Sequence, residues 1–279
     1  MNPKLLSLHG LKWNPFSPEV PIEALLLTPK LEHFSWRVEN LTREGGFALI
    51  TGDPGLGKSV ALRLLVDKLS GHRDLMVGIL TRPQSGVPDF YRELGDLFGV
   101  QLSPHNRWAG ARVLRERWQA HIEAALLRPV LIVDEGQEMR PAVLNELRLL
   151  CATELDSRAL LTVVLGGDAR LTEKFRGEEL LPLGSRMRVR LVLQPATPQE
   201  LLACLRHALA QSGNAHLMTP ELMTTLCEHA AGNYRILMTM AGDLLDAAVQ
   251  REARQLDEKL YLDVFTVPKV PDRGRTKAR

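Results

Sequence analysis

Cysteine is scarce in this 279-residue chain, and Cys151, Cys204 and Cys227 are odd in number, far apart and without C-x-x-C spacing. That suggests neither a disulfide framework nor a zinc site, and it points to a reducing compartment, the cytoplasm. Long apolar runs are missing too. No stretch approaches the roughly 18 to 20 residues of a membrane-spanning helix, and the N-terminus lacks the apolar region of a signal peptide. A soluble protein without membrane partners is expected. Charge of one sign is also lacking, since 35 Lys and Arg face 33 Asp and Glu for a net charge of +2. The distribution is nevertheless uneven. Residues 266–279 hold Lys269, Arg273, Arg275, Lys277 and Arg279 against the single acid Asp272. This Pro- and Gly-punctuated tail has no apolar periodicity and is expected to be disordered. With 45% hydrophobic residues the remainder can bury one large core or two modest ones.

What is present is concentrated at Phe47–Val60, F-A-L-I-T-G-D-P-G-L-G-K-S-V. Phe47 to Thr51 is a short apolar run between glycines, the pattern of a buried strand in a parallel sheet. Gly52, Gly57, Lys58 and Ser59 then fit G-x-x-x-x-G-K-[ST], and the apolar-periodic stretch from Val60 to Leu69 supplies a helix. Gly52, Asp53, Pro54, Gly55, Leu56, Gly57, Lys58, Ser59 and Val60 are therefore the candidate phosphate-binding loop. Its chemistry requires backbone N–H groups to turn inward around an anion, which glycine permits and a helix N-terminus favours. Lys58 can bridge β- and γ-phosphates, and the Ser59 hydroxyl is placed to ligate Mg²⁺. A glycine-rich strand-to-helix turn with an accidental lysine is the bland alternative; the strand before and the helix after argue against it.

A second acidic motif follows about 75 residues later. Val130 to Val133 reads as another buried strand, capped by Asp134 and Glu135. Ligands of open α/β sheets sit outside the carboxyl ends of strands, so Asp134 can hold Mg²⁺ beside Ser59 and Glu135 can deprotonate an attacking water. Alone, such a pair could equally cap a helix. Downstream of a phosphate loop, it becomes strong.

Other strands are expected at Leu75–Leu80, Leu160–Leu165 and Val189–Leu193, and helices at about 30–42, 89–98, 106–127 and 141–151. Pro129 is read as ending the helix that starts at Asn106. The arginines of that helix, Arg107, Arg112, Arg115 and Arg117, suit a solvated face or a nucleic-acid or subunit contact. The proline-rich stretch 10–21 is expected to be an extended arm, with Trp13 and Phe16 packed on the domain or lining a base pocket. Arg186, Arg188 and Arg190 alternate by two at or before the last strand, which places them on one face. After Pro195, Thr197, Pro198 and Glu200 form a capping box, and only helical patterns follow to about residue 254.

Taken together these motifs resemble an AAA+ ATPase of the ExeA-like group, with the transposon ATPases TniB, TnsC and IstB as looser relatives. The specific parts are G-L-K-W-N-P-F near the N-terminus, G-D-P-G-L-G-K-S, L-I-V-D-E-G-Q with L-N-E-L-R-L-L, and G-N-Y-R. The resemblance implies an α/β P-loop NTPase with a five-stranded parallel sheet flanked by helices and a small C-terminal helical lid. The expected divisions are 1–44, an arm and helix; 45–195, the nucleotide-binding domain; 196–265, the lid; and 266–279, the basic tail. It also implies ATP and Mg²⁺, a homo-oligomeric ring or filament, Arg235 as the lid arginine that senses the γ-phosphate, and Arg186 as the finger presented to a neighbouring subunit. Arg188 competes with Arg186 for that role, and a structural ion pair competes with both. The resemblance further implies a polar residue at the end of the fourth strand to position the lytic water. This chain has Gly166-Gly167-Asp168 there, with Asp168 as the candidate substitute and slow hydrolysis as the other outcome.

For the work driven by hydrolysis, the chain is expected to assemble on double-stranded DNA and regulate or target a transposase. The compact chain, read as having no membrane segment or appended domain, and the basic tail motivate this reading. An ExeA-like secretion or envelope-assembly ATPase, or another DNA-maintenance regulator, is the alternative.

Overall fold

The computed structural model describes residues 3–100, 107–153 and 158–265. The basic tail at 266–279 lies outside the described residues. Two compact units are present. One comprises Pro21–Pro195 together with Asn233–Arg235; the other comprises, among the described residues, 3–20, Ala196–Gly232 and 236–265. Residues 1–44, expected as one segment, thus divide at Pro21.

In chain order the first unit holds α2 (Pro29–Thr42), β1 (Gly46–Thr51), α3 (Lys58–Ser70), β2 (Leu75–Leu80), α4 (Val87–Phe98), α5 (Arg107–Ala125) and β3 (Arg128–Val133). It continues with α6 (Pro141–Cys151), a two-residue hairpin of β4 (Ala152–Thr153) and β5 (Arg158–Ala159), then β6 (Thr162–Gly167), α7 (Ala169–Lys174), α8 (Leu181–Gly184) and β7 (Met187–Val192). Five strands form one parallel sheet in the order β2-β3-β6-β1-β7. All six residues of β1 are buried, as a central strand covered on both faces requires. Alternate residues divide between two cores. Phe47 and Leu49 face Phe90, Leu94, Trp118 and Leu144 of α4, α5 and α6. Ala48 and Ile50 face Phe34 and Val38 of α2 and Leu62 and Leu65 of α3.

The register of this sheet positions the site. Thr51 pairs with Gly167 of β6, and Val133 of β3 pairs with Leu165 of the same strand. The loop that leaves β1 at Gly52 therefore emerges beside Asp168, and Asp134 emerges beside Gly166. Chain order breaks at this place, because β1 is flanked by β6 and β7 while the chain crosses to β2 at the far edge, so a ligand crevice is expected here.

Several local expectations change. Pro129 lies inside β3 instead of ending a helix. It pairs only with Met76 of β2, since pairing with β6 begins at Val130, so its missing N–H costs no ladder bond on that side. Gly166 and Gly167 are the last residues of β6 and do not follow it. Arg186 precedes β7, so only Arg188 and Arg190 share the exposed face of that strand, alternating with buried Met187 and Val189.

The second unit begins with α1 (Pro3–His9), a helix ahead of the proline-rich stretch 10–21, which itself forms no helix. Pro3 sits in its first turn, where proline costs no hydrogen bond, and Gly10 (φ +63°) follows its end. The unit continues with α9 (Pro198–Ser212), α10 (Pro220–His229), α11 (Tyr234–Arg251) from Ile236 onward, and α12 (Glu258–Phe265). The capping box is present: Thr197 Oγ1 accepts from Glu200 N, and Glu200 Oε2 accepts from Thr197 N. The N-terminal arm is tied to this unit through Lys12 N donating to Ser212 O at 2.8 Å and Asn214 Nδ2 donating to His9 O at 2.8 Å. Among the described residues no helix is long and apolar enough to cross a membrane.

Candidate active site

The phosphate loop turns between β1 and α3. Gly55 (φ +87°) and Gly57 (φ +93°) hold the left-handed conformations that let consecutive amides point one way. Lys58 opens α3 and is only 6% exposed, so its ammonium must be satisfied from within. Its Nζ donates to Gly52 O at 2.8 Å and Asp53 O at 3.1 Å, which curls the loop around the amine. Leu56 is buried, whereas Ser59 is exposed as the second residue of α3 and Val60 follows half-buried. A further clamp comes from 180 residues away in the chain. Asn233 Nδ2 donates to Pro54 O at 3.0 Å, and Arg235 N donates to both Gly55 O at 3.2 Å and Asn233 Oδ1 at 3.0 Å. A Cβ on Gly55 would lie 2.2 Å from Asn233 Oδ1, so glycine is required there for fit as well as for φ. The structure thus brings the segment bearing Arg235 onto the loop through backbone contacts.

Asp134 and Glu135 leave the end of β3 at the same edge. Asp134 Oδ1 accepts from Glu135 N at 2.9 Å. A Cβ on Gly166 would stand 3.2 Å from that Oδ1 and 2.8 Å from Leu62 Cδ1 of α3. The missing side chain therefore lets the Asp134 carboxylate lie against the helix that carries Ser59. One hydroxyl and one carboxylate, both hard oxygen donors, fit Mg²⁺, which binds through one or two protein groups and fills its remaining positions with water and phosphate. Glu135 is exposed and adopts φ +52°, an unusual conformation for a non-glycine residue, at the start of a short 3₁₀ turn, Gly136–Glu138.

Asp168 is taken up elsewhere. Its Oδ1 caps α7 by accepting from Arg170 N at 2.9 Å, and its Oδ2 accepts from Arg170 Nε at 2.9 Å and faces Arg170 Nη2 at 2.8 Å. The Arg170 guanidinium, with a smaller contribution from Lys58, holds the Asp168 carboxyl below the usual carboxylate range. Its side chain thus serves a helix cap and an ion pair. The residue that reaches Glu135 is Gln137, the last residue of L-I-V-D-E-G-Q and not among the candidate site residues: its Nε2 donates to Glu135 Oε2, and its Oε1 accepts from Asp168 N at 3.2 Å. The available signal was its place in D-E-G-Q, two residues beyond the acid.

Arg186 is not gathered into this cluster. Its Nη1 donates to Pro182 O at 2.6 Å, and the next residue, Met187, pairs with Phe47 at the beginning of β1. The phosphate loop begins five residues further along, roughly 17 Å at strand rise and beyond an arginine's reach. Arg188 pairs with Glu44 at 2.7 Å, and Arg190 donates to Gly184 O at 2.7 Å.

Residues 41–175 match the AAA domain family. The chain is 29% identical over 274 residues to general secretion pathway protein A of Aeromonas hydrophila, a likeness covering 95% of this chain and 49% of that protein. The chain thus spans about half the length of the curated relative it matches. Among solved structures it resembles the Aeropyrum pernix ORC2 protein in its ADPNP–ADP complexes, with a TM-score of 0.70 and 15% identity over 90% of this chain and 71% of that one. It also resembles the Aeropyrum pernix ORC1 protein in complex with DNA, with a TM-score of 0.64 and 17% identity over 88% and 67%. At these identities the structural likenesses speak for the fold. The secretion relative supports the expected alternative over the transposition reading. Sheet order, phosphate loop and matched domain agree: the chain has the AAA+ P-loop fold and is an ATP-hydrolysing enzyme.

Proposed function

We propose that this chain is the ATPase module of an ExeA-type secretion or envelope-assembly protein, acting as a nucleotide switch between copies of itself. The observation that carries this reading is the extent of the likeness. A shared phosphate site alone would confine similarity to the AAA domain at 41–175, yet the relative aligns along 95% of the chain, the helical unit included.

In this reading the loop amides of residues 52–60 and the Lys58 ammonium bind the β- and γ-phosphates of ATP, and the ammonium exchanges its loop carbonyls for phosphate oxygens. Ser59 and Asp134 would hold Mg²⁺, whose positive charge would offset charge developing on the transferred phosphoryl group. Glu135 accepts the proton of the attacking water, and Arg235 reads the γ-phosphate from the segment already resting on Gly55. Arg186 serves the loop of a neighbouring copy, in keeping with its distance from its own.

The test is genetic and biochemical. Deleting the gene in its source organism should block release of secreted enzymes; wild type should restore it, and Lys58→Ala or Glu135→Gln should not. Normal secretion after deletion would overturn the proposal. A second reading, the duplex-DNA-bound regulator of a transposase, is favoured by the five basic residues of 266–279. ATP-dependent retention on duplex DNA that weakens steeply with salt, and less steeply once 266–279 are removed, would support that reading instead.

A further inference from the structure

Both ends of the Gln137 amide are committed, although the residue is only 4% exposed. The orientation of that amide follows from chemistry. A backbone N–H can only donate, so Asp168 N requires Oε1, and this turns the NH₂ toward the Glu135 carboxylate. The backbone of Gln137 is fixed as well, because Lys174 Nζ donates to Gln137 O and, at 2.9 Å, to Met139 O. Gly167 makes the room: a Cβ there would lie 2.8 Å from Gln137 Oε1. The amide therefore ties an exposed glutamate, on backbone of unusual φ, to the end of β6 beside the phosphate loop.

We propose that Gln137 is a positioning residue for ATP hydrolysis, aiming the Glu135 carboxylate by anchoring it to the Asp168 N–H at the end of β6. The proposal deepens the reading above and rests on Glu135 as the base. Gln137 acts through Glu135, and by fixing the carboxylate it spares the reaction the cost of ordering a mobile side chain.

Gln137→Met removes donor and acceptor at similar volume. Gln137→Glu removes the donor, keeps an acceptor for Asp168 N, and sets a second carboxylate against Glu135. Both variants should retain wild-type circular dichroism and bind a fluorescent ATP analogue within about threefold of wild type, while kcat falls at least about tenfold. The decisive readout is the double-mutant cycle. In a Glu135→Gln background neither substitution should lower the residual rate further, because the group that Gln137 aims is already gone. Unchanged or faster turnover in the two single variants would overturn the proposal, as would an equal further loss in the Glu135→Gln background. If Glu135→Gln itself leaves turnover intact, the assignment of the base falls, and this inference falls with it.

Discussion

The volume that a side chain at residue 167 would need is already filled. A Cβ on Gly167 would stand 2.6 Å from Leu171 Cδ2 and 2.8 Å from Gln137 Oε1. Leu171 is fully buried and has little freedom to give way. Gly167→Ala is therefore expected to cost about 1 to 3 kcal/mol of stability, the range for overpacking a tight site, and to lower kcat by displacing the amide. Urea denaturation checks the first expectation and steady-state hydrolysis the second. At Asp168 the prediction concerns pH. Its folded pKa is depressed, chiefly by the hydrogen bond from Arg170, so its contribution to stability is present above the ordinary value of about 3.9 and is lost as pH falls through the lower folded value. Asp168→Asn keeps a good helix cap but removes the charge. The stability difference between wild type and Asp168→Asn should thus be largest near neutrality, shrink below about pH 4, and shrink in high salt as well, since Arg170 is largely exposed. Denaturation midpoints measured across that range test the sign.

Helix α9 illustrates what an element inherits from its own sequence. Thr197, Pro198 and Glu200 specify its start locally, and both reciprocal bonds of the box form. Thr197→Ala should lower stability by about 1 kcal/mol, seen in chemical denaturation, with affinity for ATP unchanged. Elements governed by such short-range chemistry were legible: β2 and α6 span the residues their apolar patterns mark, and the phosphate loop announces itself through glycine and lysine spacing. What was not legible depends on neighbours far away in sequence. Pro129 looks like a helix breaker until it is known that one of the two flanking strands does not pair with that residue. Gly166 and Gly167 look like a turn because strand propensity disfavours glycine, yet the sheet keeps them in β6 so that Asp134 and Gln137 can occupy the space. Gln137 was passed over for the same reason. Its partner Asp168 lies 31 residues away, and no local period connects them. The clamp of Asn233 on Pro54, across 179 residues, is further still from anything a pattern could reveal.

At the scale of the whole molecule, the proposed role of Arg186 bears on how many copies a working site needs. Within one chain it stands at the amino end of β7, whereas Lys58, Asp134 and Glu135 gather beyond the carboxyl ends of β1 and β3. If Arg186 is the finger proposed above, its distance from its own loop leaves a neighbouring chain as its target, so hydrolysis per subunit should rise with protein concentration and level off once assembly is complete. Arg186→Ala should abolish that rise, with a loss on the order of 10³ in kcat. Arg188→Ala should change little, because the Arg188–Glu44 pair it removes is exposed at both ends. Mixing separates the finger from a merely structural arginine. Glu135→Gln copies should lose all but a residual rate yet still present Arg186, and Arg186→Ala copies keep an intact acid, so mixed assemblies should recover activity that neither variant shows alone. If the mixture stays as inactive as its parts, or the wild type hydrolyses ATP equally well at every concentration, Arg186 holds only its own chain together and the site is complete within one copy.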